Sequence, residues 1–237
     1  MANHYGVLPI VTEGLQYCID GADTHCYNGS GTSVTNLASN TIGGGDFGGD
    51  TTGSPSNGYF SFDGTGDYIL SDGFISTAML TAGYTFELWG LWTNSEAGGE
   101  HQNGSHSGNS PGGRMYLGWY QDKMMVGAGS GYNQVNVGGS QNNKWYYMSQ
   151  THDGSGNIVG YLDGTQVVTA SGRSFGNALM DAGTLKITWG GYTRSGNTPH
   201  GFAYANGYLG CGRFYNRPLT PAEITQNFNA QRGRFGV

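Results

Sequence analysis

Short apolar segments alternate with clusters of Gly, Asn and Asp along almost the whole chain. Segments of this kind, separated by turn-forming residues, are typical of many short strands in a sandwich or barrel. The strands predicted from this pattern are Leu15–Asp20, Gly58–Phe62, Asp67–Leu70, Tyr84–Trp92, Met115–Tyr120, Lys123–Ala128, Gln134–Val137, Trp145–His152, Ile158–Leu162, Thr165–Thr169, Leu185–Trp189, Phe202–Leu209 and Arg213–Tyr215. The stretches Gly43–Asn57 and Asn94–Gly113 are predicted to be loops. We therefore expect an all-β protein.

The segment Tyr84–Trp92 indicates a strand in the middle of a sheet. Successive side chains of a strand point to opposite faces, and here apolar residues fall on both faces, as in a strand that is covered on both sides. Glu87 and Trp89 then share one face. Between two later strands stands Asp163-Gly164, a preferred pair for a two-residue hairpin turn in which both residues need positive φ.

One helix is predicted, near the end of the sequence. Thr220 is a suitable N-cap, Pro221 suits the first helical position, and the carboxylate of Glu223 can bond back to the cap amide. Gly233 suits the C-terminal end. The expected helix has about three turns and lies on the sandwich.

Composition limits the number of domains and the class of partner. A chain of 237 residues with 13% aromatic and 11% charged residues is typical of one folded domain rather than of a disordered chain. The few Lys and Arg residues form no basic patch interleaved with aromatic residues, which argues against nucleic-acid binding. The sequence contains no apolar run of membrane-spanning length, and Met1–Leu15 does not resemble a signal peptide.

Five segments, taken together, resemble the laminin-G-like domain, a jelly roll of the concanavalin type. They follow the family order and are Ser61–Ile69, Tyr84–Trp89, Trp145–Val167, Leu185–Gly191 and Gly210–Ile224. The resemblance implies a two-layer antiparallel β-sandwich with one short C-terminal helix, in which the first and last strands are neighbours. It also implies that Cys18 lies near Cys211, so that reduced thiols and a bridge are both open. Gln150 and Gly212 stand where the family usually has apolar residues.

The opening segments Glu13–Asp23 and Tyr27–Thr32 resemble the version of this domain found in structural proteins of tailed bacteriophages. That narrower resemblance implies a non-enzymatic virion surface protein, a head decoration protein, made in the host cytoplasm. Residues 1–13 would form an extended arm and residues 14–237 the sandwich domain. Arm and sheet edges would bind capsid protein, and the chain would form a homo-oligomer. Two alternatives stay open: a lectin-like module, extracellular or on a tail fibre, that binds a host-surface glycan, and a glycoside hydrolase.

The acidic residues predict no catalytic site. Glycoside hydrolases of this fold need a tight cluster of carboxylates on one strand, and the corresponding strand here offers Glu87 alone. We expect Glu87 to be a paired or solvated carboxylate. Asp63 and Asp67, in a Gly-rich turn, are candidate ligands for Ca²⁺, which prefers oxygen ligands; the alternative is that both carboxylates cap turns. Apart from calcium, no cofactor is predicted.

Aromatic residues beside Asn or Asp are candidates for carbohydrate binding, because a ring face can stack on the C–H face of a sugar. The candidates are Trp89, Trp119, Tyr120, Tyr132 and Tyr192. The alternative is that these rings pack in the core or in a subunit contact. Trp145 is predicted to lie in the core.

Overall fold

The computed structural model describes residues 8–38, 42–93, 100–102, 105–106, 114–120, 123–129, 131–136, 143–173, 185–191, 193–194, 198–199 and 204–237. Its strands are β1 (Leu15–Asp20), β2 (Ser33–Val34), β3 (Gly45–Gly48), β4 (Thr52–Ser54), β5 (Tyr59–Asp63), β6 (Tyr68–Ser71), β7 (Tyr84–Trp92), β8 (Glu100–Gln102), β9 (Ser105–His106), β10 (Arg114–Tyr120), β11 (Lys123–Gly129), β12 (Gly131–Asn136), β13 (Trp145–His152), β14 (Ile158–Leu162), β15 (Thr165–Ala170), β16 (Thr188–Trp189), β17 (Thr193–Arg194), β18 (Thr198–Pro199) and β19 (Asn206–Tyr215). The helices described are α1 (Thr77–Ala82) and α2 (Pro221–Phe235). Neither is both long and apolar enough to cross a lipid bilayer.

The largest sheet has eight strands in the order β15-β14-β13-β7-β19-β5-β4, and β1 also pairs with β19. A five-stranded sheet has the order β12-β11-β10-β8, with β9 paired to β10, and a four-stranded sheet has the order β16-β6-β3-β2. The pairings within these three sheets are antiparallel. The neighbouring position of the first and last strands, implied by the family resemblance, is confirmed by the β1–β19 pair.

The main core lies between one face of the eight-stranded sheet and the two smaller sheets. Phe86 and Leu88 of β7 pack there with Leu117 of β10 and with Ile69 and Trp189 of the four-stranded sheet. Each of these side chains is at most 1% exposed, and burial of a large apolar side chain stabilises a fold by about 1.5–3 kcal/mol. The predicted two-layer antiparallel β-sandwich is confirmed.

The opposite face of the eight-stranded sheet, which we call the outer face, is partly covered by α2. The Trp89 ring of β7 stacks on Phe228 and Phe235 of α2, with ring centroids 5.7 and 4.4 Å apart. Strand β7 is therefore covered on both faces, as predicted, and Glu87 lies on the outer face with Trp89.

Helix α2 begins where it was predicted to begin, and it ends later. Glu223 N donates to Thr220 Oγ1 at 3.3 Å, and Thr220 N donates to Glu223 Oε2 at 2.8 Å, which completes the predicted capping box. The predicted end at Gly233 is wrong, since the helix runs to Phe235 and is closed by Gly236 at a φ of 73°. The added residues bury the Phe235 ring to 8% exposure against the outer face, and this packing outweighs the low helix propensity of Gly.

Both predicted loops contain strands. Strands β3 and β4 lie within Gly43–Asn57, and β8 and β9 lie within Asn94–Gly113, whose other residues are outside the described part of the chain. The sequence pattern did not predict β3 and β4 because glycine is typical of loops. Glycine is required in β3 for packing, since the Tyr68 ring lies 2.0 Å from where a Cβ of Gly48 would stand. Helix α1 was also not predicted.

The two positions that replace an apolar residue of the family pattern have physical explanations. Gln150 is buried, and its amide joins the two layers: Nε2 donates to Tyr84 OH at 2.8 Å and to Gly127 O at 3.0 Å, while Oε1 accepts from Gly127 N at 3.0 Å. Gly212 leaves room for the Trp189 ring, which would lie 2.5 Å from a Cβ. Gly212 is part of one continuous β19, which corrects the prediction of two strands, Phe202–Leu209 and Arg213–Tyr215.

The first described residues pack on their own domain. Val11 N donates to Asn227 Oδ1 of α2 at 2.8 Å, and Val11 O accepts from Tyr215 OH at 3.0 Å. The part of the predicted arm from Pro9 onward is therefore held in place, since Pro9 O also accepts from Gln226 of α2 at 2.7 Å. Residues 1–7 lie outside the described residues.

The three cysteines are buried and free. In the β1–β19 register, Cys18 stands opposite Arg213, and Cys211 stands opposite Asp20. The sequence left open whether Cys18 and Cys211 are reduced or form a disulfide bridge, and in the structure both are reduced thiols.

Candidate functional site

Glu87, the acid on the central strand, lies in a buried polar cluster beneath α2. Its Oε1 accepts a hydrogen bond from Arg213 Nη1 at 2.6 Å, and Asn227 Nδ2 lies 3.2 Å from both carboxylate oxygens. The hydroxyl of Tyr147 donates a short hydrogen bond to Oε2. Glu87 is 0% exposed and Arg213 is 1% exposed. The expectation that Glu87 is a paired carboxylate is confirmed.

The side chains that surround the Glu87–Arg213 ion pair are uncharged and bond to it from the protein interior. Arg213 Nη2 donates to Gln231 of α2, and the thiol of Cys211 donates to the same Gln231 oxygen at 3.2 Å. Burial raises the pKa of Cys211 to about 12, and burial beside the Glu87 carboxylate raises the pKa of Tyr147 well above its usual value. Both groups therefore stay protonated at neutral pH and remain donors.

This arrangement does not suit glycoside hydrolysis. A glycosidase needs two carboxyl groups about 5–9.5 Å apart on either side of an accessible bond. Both oxygens of Glu87 are occupied by protein donors, and the residue lies under a helix rather than in a cleft. Glu87 cannot reach a sugar in this structure.

Three carboxylates meet at one rim of the sandwich. Asp50 lies between β3 and β4, whereas Asp63 and Asp67 bound the turn between β5 and β6; one oxygen from each lies within 4.8 Å of the others. Asp67 accepts from Asp50 N and from Asp63 N, both at 2.9 Å. Asp63 accepts from Thr65 N at 2.6 Å. Both predicted residues thus cap turns, as the alternative stated.

The same cluster has the donor set that a hard cation prefers, because carboxylate oxygens are the ligands typical of Ca²⁺. Burial, reinforced by the negative charge of Asp63, raises the pKa of Asp67 to about 6. A bound cation would favour the ionised form and offset this effect. Asp50 completes the set because the β3–β4 segment, which the sequence predicted to be a loop, folds back against the β5–β6 turn.

The predicted sugar-stacking residues are not brought together. Trp89 and Trp119 are both 0% exposed; neither ring has a free face, so the prediction is wrong for these two, and they pack in the interior instead. Trp89 lies under α2, and Trp119 lies in the main core. Tyr120 and Tyr132 fall on β10 and β12, but their side chains lie outside the described residues, as does all of Tyr192.

A different aromatic surface lies on the outer face, beyond the end of α2. It consists of Tyr59, Leu91, Trp145 and Tyr208, which we call the outer platform. Leu91 pairs with Trp145 of β13 on one side and with Tyr208 of β19 on the other. The Tyr59 ring centroid lies 4.3 Å from that of Tyr208 and 6.4 Å from that of Trp145. All four side chains are partly exposed.

The prediction that Trp145 lies in the core is correct in part: Trp145 packs against the hydrophobic cluster beneath α2 but stays partly exposed. Trp145 packs on Phe235, with ring centroids 4.7 Å apart, at the border between the covered and the open part of the outer face. Sequence reasoning missed the platform because its four residues come from four strands. Only the register of those strands shows that they are neighbours.

The fold agrees with the known proteins that resemble the chain. A family model described as the concanavalin A-like lectin/glucanases superfamily matches residues 63–225. The receptor-binding domain of a botulinum neurotoxin C/D mosaic serotype superposes with a TM-score of 0.63 at 11% identity, covering 93% of this chain and 52% of that chain. The binding domain of botulinum neurotoxin DC in complex with rat synaptotagmin II gives 0.64 at 10% identity, with 93% and 52% covered.

An enzyme is also among the similar structures. The Trypanosoma rangeli sialidase in complex with the inhibitor DANA has a TM-score of 0.65 at 15% identity, covering 94% of this chain and 34% of that chain. This chain thus spans about half the length of the toxin domains and about a third of the sialidase, and identities this low show a shared fold alone. No curated protein sequence matches the chain.

Proposed function

Because the chain belongs to the concanavalin A-like lectin/glucanase superfamily, we propose that it is a non-catalytic module that binds carbohydrate. The superfamily contains both binding and hydrolytic proteins, so the family does not separate the two. One observation carries the proposal: Glu87, the acid on the central strand, is ion-paired with Arg213 and covered by α2. A fold with its central acid enclosed in this way suits recognition rather than hydrolysis.

The test measures binding and hydrolysis on the same protein. The purified chain is applied to a glycan array, and it is also incubated with β-glucans while released reducing sugar is measured. We expect saturable binding to at least one class of glycan and no release of sugar. Release that is abolished in a folded Glu87→Gln variant would show a hydrolase and overturn the proposal. A failure to bind any glycan would exclude carbohydrate as the ligand.

The surface of a virus particle is the proposed place of action. Support comes from the likeness of Glu13–Asp23 and Tyr27–Thr32 to phage structural proteins, and therefore from sequence alone. In that setting capsid protein and further copies of the chain would contact the sheet edges, while the outer face would meet a glycan of the host. Presence of the chain in purified particles, with capsid and portal genes beside its own, would support this location, and its absence from particles would refute it.

Calcium at the rim is a further part of the proposal. Asp50, Asp63 and Asp67 would hold the ion, which would tie the β3–β4 segment to the β5–β6 turn. The proximity of the three carboxylates supports this role.

A further inference from the structure

We infer that the outer platform, formed by Tyr59, Leu91, Trp145 and Tyr208, is a binding site for a neutral glycan chain. The inference rests on the proposed carbohydrate-binding function, and it adds a location and a class of sugar. It depends on three properties of the platform: an open and fixed position, polar groups at the ring edges that bond to none of the described residues, and little uncompensated charge.

The platform is open because α2 ends beside it. Helix α2 covers the outer face as far as Phe235, and Gly236 then turns the backbone away in the left-handed conformation. The position of the helix end is fixed by Arg234, whose Nη1 lies 2.6 Å from an oxygen of Asp20 and whose Nη2 donates to the carbonyl of Gly58. Gly58 directly precedes Tyr59, so the helix end and the platform are held to the same strand.

The polar groups of the three rings have no hydrogen-bond partner in the part of the chain that the structure describes. The hydroxyls of Tyr59 and Tyr208 and the indole N–H of Trp145 make no hydrogen bond with any described residue. On the covered part of the same face, by contrast, the Tyr147 hydroxyl donates to Glu87, and the Tyr215 hydroxyl donates to Val11 O. The platform therefore offers apolar ring faces together with free donors at their edges, and a sugar has the matching combination of a C–H face and hydroxyl groups.

Charge around the platform favours a neutral sugar. The guanidinium of Arg234, which bonds to the carbonyl next to Tyr59, is compensated by Asp20. The exposed Lys144, which directly precedes Trp145, has an interaction of its own. Along the same face of β5 the next residue is Ser61, which is uncharged. The exposed acid Asp63 lies four residues along β5 from Tyr59, about 13 Å away at the usual rise per residue of a strand. A sialylated or uronic chain would find no free cation among these residues to hold its carboxylates.

Trp145 can serve as an intrinsic fluorescent probe of binding at this site. Of its five tryptophans, Trp89, Trp92, Trp119 and Trp189 are each 0% exposed, whereas Trp145 is partly exposed. Quenching of the intrinsic fluorescence by acrylamide therefore reports mainly on Trp145. A glycan seated on the platform should reduce this quenching.

The experiment combines that signal with ring deletion. Wild type, Tyr59→Ala, Tyr208→Ala and the control Phe74→Ala are titrated with neutral polysaccharides (glucan, mannan, galactan and xylan) and with the acidic polymers alginate and polysialic acid. Phe74 is 45% exposed and lies in another part of the chain, so Phe74→Ala removes an exposed ring without touching the platform. Tyr208→Phe retains the ring and removes the hydroxyl alone.

We expect a neutral polysaccharide to bind the wild type and to protect Trp145 from acrylamide. Each Tyr→Ala variant should bind about tenfold more weakly, which corresponds to about 1.4 kcal/mol. Tyr208→Phe, which loses one hydrogen-bonding group and keeps the ring, should bind about threefold more weakly, and Phe74→Ala should bind within about twofold of wild type. Unchanged binding by both Tyr→Ala variants, without protection of Trp145, would place the sugar elsewhere and overturn this inference while leaving the proposed function standing. Binding of acidic polymers alone would overturn the neutral class, and binding of no saccharide would overturn both. The wild-type quenching measurement decides the matter even where a variant fails to fold.

Discussion

Replacing Glu87 by Gln tests the buried cluster beneath α2. Gln keeps the size of the side chain and can still meet Tyr147 and Asn227, but it leaves the Arg213 guanidinium, which is 1% exposed, without a counter-charge. Removal of one partner of a buried ion pair costs about 3–5 kcal/mol, because the other charge stays buried. A domain of this size loses about 2–4 °C of Tm per kcal/mol. We therefore expect Glu87→Gln to lower the Tm by roughly 6–20 °C.

Two further variants test whether the loss of stability comes from the unpaired charge of Arg213. Removal of both charges in Glu87→Gln/Arg213→Met should recover most of the lost stability, since no unpaired charge then remains. In Glu13→Gln the changed side chain is 86% exposed and lies 3.9 Å from Arg217, so stability should change by less than about 1 kcal/mol. Thermal and urea unfolding followed by circular dichroism measure all three. A wild-type Tm for Glu87→Gln, or a double variant less stable than Glu87→Gln, would refute the reasoning.

Three other predictions concern the rim, the helix start and the close packing of a strand. Added Ca²⁺ should raise the Tm of the wild type but not of Asp63→Asn in differential scanning fluorimetry, with reversal by EGTA; an equal rise in the variant would exclude the rim as the site. The hydrogen bond and charge of Arg217 lower the pKa of Glu223 from 4.5 to about 2, so this carboxylate contributes stability that is complete above pH 4.5 and is lost as the pH falls towards 2. Arg217→Met should flatten that part of a stability–pH profile, and an unchanged slope would contradict the assignment. Gly212→Ala should cost about 1–3 kcal/mol in urea unfolding, because its Cβ would stand 2.5 Å from the Trp189 ring; a neutral substitution would show that the ring moves freely.

Features set by neighbouring residues could be predicted from the sequence. Asp163 and Gly164 adopt positive φ values of 49° and 76°, as their hairpin turn requires. The capping box between Thr220 and Glu223 follows from a three-residue spacing, and the central position of β7 follows from its alternation of side chains. Each of these depends on one short segment, so no knowledge of the tertiary structure is needed.

Features set by register and packing could not be predicted. Asp50 joins Asp63 and Asp67 only after two strands form inside an apparent loop. A tryptophan in a strand gives no sign of which face it occupies relative to α2. Trp89 was therefore proposed to bind sugar although it is fully buried, and Trp145 to fill the core although it is only partly buried. The late end of α2 has the same origin, since the Phe235 ring finds its partners on β7 and β13.

The β7–β19 pairing also constrains how the chain can fold during synthesis. β7 lies between β13 and β19; β7 ends at Trp92 and β19 begins at Asn206, so more than a hundred further residues must be synthesised after β7 before the middle of the largest sheet can close. Until then one edge of β7 has no strand beside it, and Glu87 has neither Arg213 nor Asn227. Long-range pairing of this kind slows folding, and an open strand edge invites association with other chains. We therefore expect nascent chains to need protection from aggregation until the last strand and α2 have been made.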